Sequence, residues 1–376
     1  MNKKNANILL IVTIFSISIL IGIIGNNYLK CDINVIKSNK EYQKSSNNLA
    51  LMYEITPSSG EYQVSTDSVW PSTGYEFNST LSKCENGSTL TYDMVNNEVK
   101  VQLKTSDKCF VYFDKEKPMP KFSEYLIANN GTIGMDHHTS TLANGANDNS
   151  YRFSGSDPNN YVCFGPGATT AGTACPEENQ YRIIGVFGNQ VKLIKKTILG
   201  KTSWNLGYMN TWAKSTLDVY LNGEYLNSLT PSWSDKISIS SWQVGGMVDA
   251  IKNGIPSTAY SNEVGVDKAN VTSNSKIGLM YVSDYGFAIP PNNWNFTLNN
   301  YDNGIEASNW LFLHLSEWTI SVTSDVYGYA FSIYARGNII CGGTGYELSF
   351  RPSFYLQPLI TVVGGNGTSN NPYRVS

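Results

Sequence analysis

Three histidines and six cysteines are the residues of this chain whose types could do chemistry. His137 and His138 follow Asp136 in the tripeptide DHH, which sets two imidazoles beside a carboxylate, all of them metal donors. Neighbouring side chains on an extended strand point to opposite faces, so the run alone closes no metal site. His314 sits in WLFLHLSEW, an alternating run that reads as a strand with its histidine in the interior or at an edge. Cys341 with His314 is a thiol–imidazole pair of the kind a nucleophile needs, and no local motif supports it. Asp284, Glu317 and Asp325 are loop carboxylates that a hydrolase could use, given two carboxyl groups roughly 5–10 Å apart. GANDNS (145–150) and NNYDNG (299–304) are rich in oxygen ligands. Neither has the spacing of a calcium loop, and Asn and Asp also serve turns through side-chain to backbone hydrogen bonds. No GxSxG, HExxH, P-loop or dinucleotide motif occurs. The chain therefore reads as a non-enzyme with no metal, cofactor or catalytic residue.

The cysteines carry more. Cys84 and Cys109 bracket a strand-rich segment, and Cys163 and Cys175 bracket a Gly/Ala/Thr loop. Neither pair has the CxxC spacing of a zinc site. Each reads as a disulfide worth about 3 kcal/mol in the chain-entropy picture, with buried free thiols as the alternative. Disulfides belong to an oxidising compartment. Cys31 and Cys341 are left over.

Stepping outward from these residues, the N-terminus holds ILLIVTIFSISILIGIIG, Ile8 to Gly25, a run without charge. About 18 apolar residues cross most of a bilayer as a helix. Residues 1–30 thus read as an uncleaved signal-anchor, and 31–50 as a polar spacer. Lys3 and Lys4 before the run and Lys30, Lys37, Lys40 and Lys44 after it leave orientation undecided by charge, so the paired cysteines place the remainder outside. The 27 basic and 30 acidic residues nearly cancel, with no block of one sign, which argues against a nucleic-acid partner.

Short alternating runs over 51–115 read as a small β-sandwich stapled by Cys84–Cys109, with a hairpin turning at NN in TYDMVNNEVKV. Residues 116–130 read as a linker, and 131–376 as the larger domain. In it, 215–229 is the one good helix. Ser215 caps it, Leu217, Leu221, Tyr225, Leu226 and Leu229 recur at helical spacing, and Gly223 weakens it. KIGLMYVSDYGFA (276–288), NWLFLHLSEWTIS (309–321) and YAFSIYARGNII (329–340) read as strands.

The last of these gives a candidate binding face. In alternation, Tyr327, Tyr329, Phe331 and Ile333 form an inward row, and Ser332, Tyr334, Arg336 and Asn338 face out. Tyr with Ser, Asn and Gly is the palette of antibody loops, where tyrosine gives contact area at low entropy cost. The ligand-binding set is Tyr327, Tyr329, Ser332, Tyr334, Arg336, Asn338, Tyr346 and Glu347.

PNNYVCFG, CPEENQYRIIGVF, TWAKSTLDVYLNGEYLNSL, KIGLMYVSDYG, SEWTIS and RPSFYL together resemble uncharacterised surface proteins of gut Firmicutes. CENGSTLTYDMVNNEVKVQLKTSDKCFVYFD is similar to the small disulfide module that often precedes them. The likeness spans roughly 50–376 and brings no activity with it. At greater distance the helix, the Trp-rich strands and the final Arg-Pro-x-Phe strand resemble the C-type lectin-like fold of formylglycine-generating enzymes and retroelement variable proteins. The enzymes of that fold use a cysteine pair, whereas only Cys341 lies in the corresponding region. The variable proteins display a Tyr/Ser/Asn/Gly-rich patch before a fixed last strand. Together with the apolar N-terminal run, the resemblance gives an α+β, β-rich class: a transmembrane helix, a small β-sandwich, then a C-type lectin-like domain over 131–376. It also implies a single-pass surface protein that recognises a protein or glycan on another cell or in the host. The alternatives are an extracellular hydrolase and a structural envelope component.

Overall fold

The computed structural model describes residues 32–37, 49–65, 74–93, 98–104, 107–167, 173–265 and 272–376. They are β-rich, about 35% strand and 20% helix. The expected class, which sets a transmembrane helix ahead of two β-rich domains, is not what the structure shows. Among the described residues no helix is long and apolar enough to cross a membrane. The run Ile8 to Gly25 lies outside the described residues.

The chain divides into two compact units, Met1–Pro118 and Met119–Ser376. In the first, strands Asp32–Lys37, Glu98–Leu103 and Thr89–Asp93 form one sheet in that order. Tyr62–Val64, Leu49–Glu54, Cys109–Lys115 and Tyr75–Cys84 form another. Alternation on both sheets turns Leu51, Val99, Val101, Val111 and Phe113 into a single buried cluster. Asp32–Lys37, read from sequence as spacer, pairs along its whole length with Glu98–Leu103. The Asn96–Asn97 turn lies outside the described residues, between strands paired Asp93 to Glu98.

In the second unit a nine-stranded sheet contains Gln180–Phe187 and Gln190–Lys195 at its centre. Beside it, five strands run in the order Gly200–Ser203, Glu347–Phe350, Glu317–Val322, Tyr329–Ile333 and Ile339–Gly343. Every residue of Glu317–Val322 is buried, so both faces of that sheet centre are covered. Buried tryptophans knit the layers. The Trp204 Nε1–H donates to the Thr319 carbonyl at 3.0 Å, and that of Trp310 to the Phe153 carbonyl at 2.9 Å. Glu317 is held inside by Arg351, whose Nε and Nη2 donate to its two oxygens at 2.7 and 2.9 Å.

The helix over 215–229 forms with Ser215 as its cap, accepting from the Asp218 amide at 3.1 Å. It is α-helical over Thr216–Val219 and Leu226–Ser228, and π-helical over Tyr220–Tyr225. Two strand readings fail. Within 276–288 only Ile277–Gly278 is a strand, and Val282–Phe287 is a helix. That stretch is buried on every side, so it shows no period to read. Within 309–321 the strand begins only at Glu317, and His314 sits on an exposed turn with φ 57°.

Candidate functional site

Strands Tyr329–Ile333 and Ile339–Gly343 form a hairpin with register Tyr329 to Gly343 at one end and Ile333 to Ile339 at the other. This hairpin splits the predicted binding face. Tyr334, Arg336 and Asn338 lie on its connecting turn, where the Tyr334 amide donates to the Asn338 carbonyl at 2.8 Å and Gly337 takes φ +102°. Tyr334 and Arg336 are exposed there. Tyr327, Tyr329 and Tyr346 gather at the opposite end, about 17 Å away at roughly 3.4 Å per strand residue. Glu347 is exposed beside Tyr346.

The facing assignments change too. Ser332, expected outward, is buried, and Tyr329, expected inward, is exposed. Strand Tyr329–Ile333 is an interior member of its sheet, and Ala330 to Ile333 are all buried. With both faces covered, alternation no longer marks an outside.

At the tyrosine end, Tyr208, Tyr327, Tyr329 and Tyr346 surround a cleft of about 260 Å³, completed by Gly328 and Gly343. The four rings are 59, 75, 41 and 67% exposed. The missing side chains at the glycines leave the ring faces open. The turns beneath are fixed by backbone bonds. Asn210 spans two of them, its amide donating to the carbonyls of Thr323 and Val326 and its oxygen accepting from the Gly328 amide. The Thr344 amide donates to the Gly328 carbonyl at 2.8 Å, and the Asn205 amide to the Thr344 carbonyl at 3.0 Å. Tyr208 itself has φ 54°, and its ring lies so close to Gly345 that any Cβ there would collide with it. The loop carrying Tyr208 is anchored at both ends by Trp204 and Trp212, buried edge to face at 5.4 Å.

Sequence reasoning missed Tyr208 and Asn210, which sit more than a hundred positions from Tyr327. The only local signal is the Gly/Asn-rich WNLGYMNTW, a loop between two tryptophans.

The other candidates are occupied by structure. His137 stacks on Tyr151 at 4.0 Å and its Nε2 lies 2.7 Å from Asn149 Oδ1. His138 is buried, and its Nδ1 accepts from the Ala146 amide at 2.9 Å. The two rings therefore do not converge on a metal. In GANDNS, Asp148 is taken up by Arg152 at 2.6 Å and by Ser150, while Asn147 and Asn149 adopt positive φ as turn residues. In NNYDNG, Asn299 and Asn300 bond to Thr297, and Gly304 turns the chain at φ +87°. His314 packs on Phe312 at 4.5 Å. Cys341 is a free, half-buried cysteine, and burial pushes its thiol up, away from the thiolate a nucleophile needs.

Of the three loop carboxylates, Glu317 is bound to Arg351, Asp284 to Lys192 at 2.5 Å, and exposed Asp325 accepts from the Val248 amide. Cys84, Asp107 and Cys109 come together. The two sulfurs are bonded to each other, and Asp107 accepts from the amides of Asn86, Ser88 and Lys108. Cys163 and Cys175 form the second disulfide. The two disulfides are compatible with an extracellular protein. No family model, no curated protein and no solved structure matches the chain.

Proposed function

We propose that this protein recognises a partner molecule, a protein or glycan carried by another cell or by the host, through the tyrosine cleft. The observation that carries the reading is the lining: four tyrosines and two glycines with no charged side chain among them, around about 260 Å³. Such a surface binds by stacking and by phenol hydrogen bonds. Tyrosine offers large rigid area with few rotors, which favours it at recognition faces. The turns beneath are held by main-chain bonds, so little order is lost on binding.

A glycan and protein array probed with the full chain tests this. We expect at least one class of ligand to be retained, and Tyr208→Ala, Tyr327→Ala and Tyr346→Ala each to weaken it about tenfold or more. Tyr334→Ala and Arg336→Ala, at the far end of the hairpin, serve as controls that leave binding within about twofold. Binding should change little between low and high salt, because no charge lines the cleft. A ligand lost on Arg336→Ala but kept on Tyr327→Ala would move the face to the other end.

A further inference from the structure

A second cavity, of about 170 Å³, opens in the same unit where strands Tyr151–Arg152, Ser240–Gln243 and Ser353–Tyr355 meet helices Pro256–Glu263 and Val282–Phe287, and is lined by Arg152, Asp284, Gln243, Tyr260 and Tyr355 among others. At roughly 30 Å³ per water it has room for five or six waters, or one small molecule. Its charged groups are half used. Arg152 gives Nη2 to Asp148 at 2.6 Å and Nε to Ser150 at 2.9 Å. Asp284 spends Oδ2 on Lys192 at 2.5 Å and on the Tyr281 amide at 2.8 Å. What remains is Arg152 Nη1 facing Asp284 Oδ1 at 3.6 Å, too far for a hydrogen bond. Among the described residues neither atom has another hydrogen-bond partner. Gln243 Oε1 is also buried without one.

One unfilled cationic donor thus stands beside one unfilled anionic acceptor, with a neutral acceptor and phenol rings around them. Formal charge is balanced before any ligand arrives: Arg152 and Lys192 against Asp148 and Asp284. Glu263 does not line the cavity; it is taken up by the amides of Val282 and Ser283 and the hydroxyl of Ser321. A ligand with net charge would leave a buried charge unpaired, which is costly. A neutral polyol would fit the balance and could hydrogen-bond to both groups, but it brings no charge of its own and so gains no Coulomb attraction to either.

We propose that this cavity binds a free α-amino acid or a similar small zwitterion. Its carboxylate takes the open edge of Arg152. Its ammonium takes Asp284 Oδ1 and Gln243 Oε1, against the faces of Tyr260 and Tyr355, where a cation gains further attraction. This site is separate from the tyrosine cleft and does not rest on it.

Calorimetry and ligand-observed NMR on the full chain test the assignment, using the common amino acids, the N-acetyl and primary-amide derivatives of the tightest one, and neutral hexoses. We expect saturable binding of at least one free amino acid, weakened about tenfold or more when either charge is capped. Gln243→Ala should weaken it by a similar factor with the melting temperature unchanged, and Tyr260→Leu, which removes the ring face, serves if that variant folds poorly. Tyr327→Ala, in the other cleft, should leave it intact. Asp284→Asn is unsuitable because it strands buried Lys192. No saturation up to roughly 10 mM, which would mean a cavity filled by water only, overturns the proposal. Equal binding of a capped derivative, or preference for a hexose, overturns it as well.

Discussion

The Ala146 amide donates to His138 Nδ1, so the proton of this neutral ring sits on Nε2; the ring packs on Phe287 and Trp294, and among the described residues Nε2 meets no acceptor. Burial, aided by the charge of Arg152, lowers the histidine to about 2. An unfolded histidine protonates near 6.5. The native state therefore refuses a proton that the unfolded chain accepts. His138's contribution to stability is complete above about pH 6.5 and is lost progressively as pH falls towards 2. Asp148 adds to the loss at lower pH. Burial alone would raise its carboxyl, but Arg152 and Ser150 overcome this and hold it at about 2, so its share is lost between about pH 4 and 2. Urea unfolding measured from pH 7.5 to 4.5 should show stability declining with acid. His138→Asn, which keeps an acceptor for Ala146, should flatten that decline; an unchanged slope would assign it elsewhere. At this scale the sequence was partly legible. DHH carries the strand rule that neighbouring side chains diverge, although the strand itself ends at His137. That one ring would be sealed beneath Phe287 and Trp294 depends on residues about 150 positions away.

The helix after Ser215 shows what periodicity can and cannot tell. Leu217, Leu221 and Tyr225 are buried at a constant spacing of four. In an α-helix of 3.6 residues per turn, each such step overshoots by about 0.4 residue, so the row would drift around the axis. The wider π turn over Tyr220–Tyr225 swings it back. The same segment sets Asn222 against Ile277, donating to its carbonyl at 2.8 Å and accepting from its amide at 2.9 Å. The spacing was visible in the sequence; the change of pitch was not, since it answers to the neighbouring strand. Asn222→Ala leaves those two main-chain groups short of a partner and should cost about 1–3 kcal/mol in denaturant unfolding. Gly223 has open space where a Cβ would stand, so Gly223→Ala should raise stability by about 0.5–1 kcal/mol. A loss there would mean that the π turn needs glycine's freedom. Strands Glu317–Val322 and Tyr329–Ile333 were harder to read, because residues buried on both faces lose the alternation that marks an outside.

Across the whole molecule, each unit has its own hydrophobic core and its own disulfide. The loops closed by the bonds differ in length, 25 against 12 residues of separation, yet each bond is worth about 3 kcal/mol because loop entropy grows only with the logarithm of length. The consequence for melting depends on size. Calorimetry with a reductant should lower the transition of the smaller unit by roughly 12–24 °C and that of the larger by roughly half as much. Equal shifts would show that the units do not melt separately. The two paired-cysteine segments were readable from spacing. The tyrosine cleft was readable only in part, since Tyr208 reaches it from a distant loop. The hairpin over 329–343 keeps its buried side chains between its ends and its exposed ones, Tyr329 and Tyr334 among them, at the tips. A gene library that randomised only those tip codons would change the exposed ends of the hairpin and leave every core side chain as it is.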